Sequence, residues 1–144
     1  MADETAQEWR DLGFFPEIDT EKSVLRLTGP RAGLLRLRDI LLEYVADPRN
    51  TVESEHEHYG PYGSLEIMTW PDAGFDDHAI HGSLADLTRL AKLVESKLAT
   101  VKPNSLIHIR EEFASDSPYT LVLDVRDDQF DPASADSDLS ADAT

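Results

Sequence analysis

From His78 to Leu98 the chain reads HAIHGSLADLTRLAKLVESKL, and fifty-three residues earlier a matching phrase stands at Leu25 to Val45. Gly29 aligns with Gly82, Leu34 with Leu87, Arg36 with Arg89, Leu37 with Leu90, Ile40 with Leu93 and Val45 with Leu98. A fixed-offset repeat constrains the fold more than any other feature here, because both copies must form the same supersecondary unit. Each copy reads as the end of a strand, a glycine turn and an amphipathic helix.

The helical phrases are periodic. Leu34, Leu37, Ile40, Leu41, Tyr44 and Val45 fall on one stripe of a helix over 32–46, with Pro30 suited to its first turn. Leu84, Leu87, Leu90, Ala91, Val94 and Leu98 form the apolar stripe of the second helix, and Ser83 with Asp86 has the spacing of a capping box. Between the copies, Leu65 to Trp70 is rich in β-branched and aromatic residues, and Asp77 to His81 is a short strand. Leu106 to Phe113 and Tyr119 to Arg126 alternate apolar with polar residues, as strands with one buried face do. The expected order is βαββαβ plus a C-terminal strand. Two βαβ halves of right-handed crossover give an α+β, two-layer sandwich in a ferredoxin-like arrangement.

Length and composition set the outer limits. With 144 residues the chain suits one domain, residues 24–128. Residues 1–23 hold Trp9, Leu12, Phe14, Phe15 and Ile18, too apolar for a free end, and read as a segment docking on the domain; Gly13 and Pro16 argue against a long helix there. Residues 129–144 have little to bury and read as a disordered acidic tail. No apolar run approaches a membrane span and no signal peptide opens the chain, so a cytoplasmic location is expected. Cysteine is absent, which removes disulfides and thiolate chemistry.

The formal net charge is −16, from 29 acidic and 13 basic residues. Much of it sits at the ends, since residues 1–23 carry seven acids and two bases and residues 127–144 six acids and no base. Such a field repels nucleic acid and anionic membrane and speeds encounter with a basic protein.

Three chemistries compete for a site. Tyr59, Tyr62, Trp70 and Phe75 cluster in sequence among glycines and carboxylates, and Glu55, Glu57, Tyr59, Tyr62, Trp70, Asp76 and Asp77 form a candidate patch for a basic partner. The alternative is zinc, on the pairs His56-x-His58 and His78-x-x-His81 with a carboxylate from Glu57, Asp76 or Asp77. No HExxH or GxSxG motif accompanies them, and Ser83 is explained as a helix cap. A structural homodimer joined through its sheet is the third reading.

A small, acidic, cysteine-free α+β chain with HYGPYGSLEIMTW before IHGSLADLTRLAKLVE resembles the small immunity proteins encoded beside bacterial polymorphic toxins. The likeness spans about Val24 to Val125. It implies a non-enzymatic protein that occludes a basic toxin, often a nuclease, with no cofactor and no family residues to carry over.

Overall fold

The structure, a computed structural model, describes residues 2–142. It is α+β, with eight strands and four α-helices among the described residues. The elements are α1 (Ala2–Leu12), β1 (Phe15–Asp19), β2 (Val24–Pro30), α2 (Arg31–Ala46), β3 (His56–Tyr59), β4 (Leu65–Thr69), β5 (Gly74–Phe75), β6 (Ile80–Gly82), α3 (Leu84–Leu98), β7 (Ser105–Ile109), β8 (Thr120–Arg126) and α4 (Ser137–Asp142).

The repeated phrases fold as β2–α2 and β6–α3. Their periodic stripes are buried: Leu34, Leu37 and Leu41 of α2 and Leu87, Leu90 and Val94 of α3 are closed to solvent. The two helices pack on each other, α2 against β2 and β8, α3 against β6, consistent with a two-layer α/β sandwich. The Ser83–Asp86 capping box forms in both directions at the start of α3, whereas α2 starts behind Pro30 with no side-chain cap.

The strands divide between two mixed sheets, in the orders β1-β2-β8-β7 and β3-β4-β6-β5, where a ferredoxin-like arrangement would gather them into one. Each half of the chain is a hairpin, a helix and a hairpin. β1–β2 and β3–β4 flank α2, and β5–β6 and β7–β8 flank α3, all four hairpins antiparallel. The halves then exchange partners through two parallel pairs, β2 with β8 and β4 with β6. At 16 residues, α2 is about 24 Å long, and it carries the chain from one sheet to the other instead of back to its own.

The chain ends are also folded. Residues 2–12 form a helix that Gly13 terminates, at φ 96° and with its N–H on the Trp9 carbonyl at 3.0 Å. Gly13 crosses the start of α2 so closely that a Cβ on Gly33 would overlap the Gly13 carbonyl oxygen, and one on Gly29 would come within 2.7 Å of it. The C-terminal segment, expected to be disordered, forms a 3₁₀ turn at Pro132–Ala135 and then α4; its last two residues lie outside the described residues. Its low apolar content is offset by polar anchoring. Asp131 is bidentate with Arg10 at 2.9 and 3.2 Å, and the buried Asp136 carboxylate accepts the Trp9 indole N–H at 2.8 Å and the Tyr62 hydroxyl at 3.1 Å.

Candidate functional site

The acidic and aromatic residues expected to form one patch stand in three places. Tyr59 pairs with Leu65 at the turn of the β3–β4 hairpin, with Tyr62 in that turn, whereas Trp70 follows the far end of β4, roughly 17 Å away at strand rise. Asp76 and Asp77 lie in the β5–β6 turn, on strands two and three places from β3.

Several of these side chains are already engaged. Tyr59 is half-buried, which pushes its phenol far above the ordinary value. Tyr62 is 69% exposed but stacks edge-on to Trp9 at 6.1 Å and donates to Asp136. Glu57 pairs with Arg49 at 2.8 Å, while Glu55 is exposed. Asp76 accepts the backbone N–H groups of His78 and Ala79 at 2.7 and 2.8 Å and so shapes its turn. Asp77 is exposed beside His78.

The histidines do not converge. His56 and His58 share one face of β3, with ring centres 5.4 Å apart edge-to-face, and His58 Nε2 is 3.3 Å from Glu66. His56 pairs with Met68, and Met68 in turn with His81 on β6, so a methionine stands between the first histidine pair and the second. His81 is buried, its Nδ1 2.7 Å from the Asp72 carbonyl oxygen and its Nε2 3.5 Å from Asp76. The donor at the first contact is Nδ1–H, since a carbonyl only accepts. His78 is exposed on the turn. Among the described residues no three His, Asp or Glu side chains come together as a metal ion requires.

A different group does assemble. At the C-terminal ends of the parallel pair β4 and β6, beside the start of α3, lies an open cleft of about 780 Å³. Trp70, Asp72 and His81 line one part, Asp86 another, and Glu111, Phe113, Asp116 and Pro118 of the β7–β8 loop the rest. Trp70 is 38% exposed while its backbone N–H is fixed on the Gly82 carbonyl at 2.9 Å. Trp70 and Pro71 also line a second, more apolar groove of about 310 Å³, with Thr69, Ser83 and Leu84.

The far wall is held by Ser117. Its hydroxyl accepts the Phe75 N–H at 2.8 Å and lies 2.7 Å from the Tyr119 carbonyl oxygen, while Tyr119 N–H donates to the Phe75 carbonyl at 3.1 Å. These bonds staple the loop carrying Asp116 to β5.

No lysine or arginine is among the residues lining the cleft. Burial works to raise the Asp86 carboxyl, but hydrogen bonds from the Ser83 backbone and from Arg89 hold it below the usual range, so it is a charged helix cap. Glu111 reaches only its neighbour Arg110, at 3.6 Å, and the Asp72 and Asp116 carboxylates have no partner among the described residues. Trp70 was legible in the sequence as a candidate. Asp72 lies in the same acidic, aromatic stretch, but Glu111 and Asp116 were not legible, because only the pairing of β5 with the β7–β8 loop brings residues more than forty positions apart to one cleft. Compared with protein-family models, with curated proteins and with solved structures, the chain matches none.

Proposed function

We propose that this chain is a non-enzymatic protein-binding module, an immunity-type inhibitor whose partner is a basic protein such as a cognate toxin. The observation that carries this reading is the exposed Trp70, which lines both an apolar groove and an acidic cleft in which the Asp72 and Asp116 carboxylates lack a cationic partner among the described residues. Large rigid rings at the centre of an interface supply much of its affinity, and complementary charge around them raises the association rate. The Ser83 hydroxyl, which follows His78 and His81 in sequence, is occupied as an acceptor from the Asp86 N–H at 3.1 Å.

The test is capture with the tagged chain from its host at moderate salt, followed by titration of the purified partner. The expected result is a basic protein bound one to one, whose affinity falls at least about tenfold with Trp70→Ala and whose association slows with Asp72→Asn/Asp116→Asn. Equal affinity for wild type and for the combined variant contradicts the reading.

A further inference from the structure

Resting on that reading, we propose that the Trp70 cleft receives an extended segment of the partner carrying an arginine beside an apolar residue, the arginine entering among Asp72, Glu111 and Asp116 and its neighbour lying on Pro71 and Leu84. Three observations lead there.

The first is internal. Gly29 and Gly82 are corresponding positions, so the ends of β2 and β8 with the start of α2 form the counterpart of the ends of β4 and β6 with the start of α3. In the first half the chain itself covers part of that surface and leaves a groove of about 450 Å³ beside it. Gly13 and Phe14 lie on Gly29 and Gly33, and Phe130, Asp131 and Pro132 lie beside Pro30, Ala32 and Gly33. In the second half the short Trp70–Ala73 link and the β7–β8 loop border the surface, and a cleft and a groove next to Trp70 are open. The fold thus shows that extended chain seats on this kind of surface.

The second is the sign of the charge. The covering segment of the first half is fastened by Asp131 on Arg10. In the second half the wall itself is acidic, and a neutral or acidic cover would leave buried carboxylates unpaired. A second copy of this chain, at a net charge of −16, is a poor occupant for the same reason.

The third is the pairing of a ring with carboxylates. A guanidinium lies flat on an aromatic face while its edge bonds a carboxylate, which an ammonium cannot do as well. The chain makes this arrangement twice. Arg89 sits over Phe113 at 5.1 Å and bonds Asp86 at 3.3 Å, and Arg126 sits over Phe130 at 5.4 Å and bonds Asp124 at 3.1 Å. Trp70 with Asp72 and Asp116 offers the same components without the arginine.

The probes are two end-blocked five-residue peptides, one with leucine next to arginine and the other with lysine in place of arginine, titrated against the full chain by proton–nitrogen NMR. Trp70 reports through its indole resonance, and Trp9, buried and bonded to Asp136, is the control. The expected result is a saturable shift at Trp70 and none at Trp9, a lysine peptide weaker by at least about threefold, and loss of the shift in Asp72→Asn/Asp116→Asn, whose carboxylates hold no structural contact. No shift at Trp70, equal shifts with both peptides, or a shift that survives the double variant overturns the inference. Should the captured partner still depend on Trp70 while the two peptides bind alike, the arginine assignment falls and the binding-module reading stands; a partner indifferent to Trp70→Ala removes both.

Discussion

Trp9 is 1% exposed and donates its indole N–H to a carboxylate that is itself 4% exposed, whereas Trp70 keeps more than a third of its surface in solvent. Composition cannot separate two such fates; partners do. Asp136 gathers the Trp9 indole, the Tyr62 hydroxyl and the Asp138 backbone N–H. Burial alone would raise its pKa, but these donors lower it overall. A carboxyl whose folded value is depressed contributes stability that is fully present above its unfolded value of about 3.9 and is lost as pH falls through the folded one. Asp136→Asn removes the charge while keeping an acceptor, so it is expected to be less stable than wild type by about 1–2 kcal/mol near neutral pH. Denaturant melts of the two chains should converge as pH falls below about 4, and a gap that stays constant down to about pH 2 contradicts the latch.

The helices α2 and α3 were legible because each carries an unbroken apolar stripe, and the Ser83–Asp86 spacing marked the start of α3. Helix α1 was less so. Gly13 was a correct sign of a break, but it marks the end of an 11-residue helix and argues nothing against the helix before it. Strand β1 (FPEID) has no apolar–polar alternation and contains Pro16, and β5 has only two residues, too few for a period. Without them the hairpin on the outer side of each parallel pair is invisible, and the division into two sheets goes with it.

The close crossing at Gly33 gives a sharp test at this scale. In an exposed first turn, Gly→Ala ordinarily stabilises a helix by up to about 1 kcal/mol. Here the added methyl meets the Gly13 carbonyl, so Gly33→Ala is expected to destabilise by about 1–3 kcal/mol, read as a lower denaturation midpoint. A rise in the midpoint would mean that the crossing is loose. Ser83→Ala, which removes one arm of the capping box, should cost about 1 kcal/mol in the same measurement.

At the scale of the whole molecule the net charge of −16 governs the electrostatics. The ion pairs across the surface, such as Arg38–Glu95 at 3.2 Å and Arg49–Glu57 at 2.8 Å, join exposed and half-buried side chains and are individually weak. Self-repulsion therefore outweighs them, and screening should favour the folded state. The melting temperature is expected to rise between about 50 mM and about 500 mM sodium chloride; a fall would show that the surface pairs outweigh the repulsion.

That charge was plain in the sequence, as was the expectation of a basic partner. The place where it could act was not. The acids counted most heavily there lie at the chain ends, where Asp131 and Asp136 turn out to be engaged with Arg10, Trp9 and Tyr62, while the unpaired Asp72 and Asp116 come from loops that read as simple turns. Hydrogen exchange of the full chain with and without its captured basic partner locates the interface most directly. Binding should protect the backbone of residues 70–73 and 111–118 and leave 59–64 unchanged; protection confined to the Tyr59–Ser64 turn, with 70–73 and 111–118 exchanging as in the free chain, would contradict a partner seated on the Trp70 cleft.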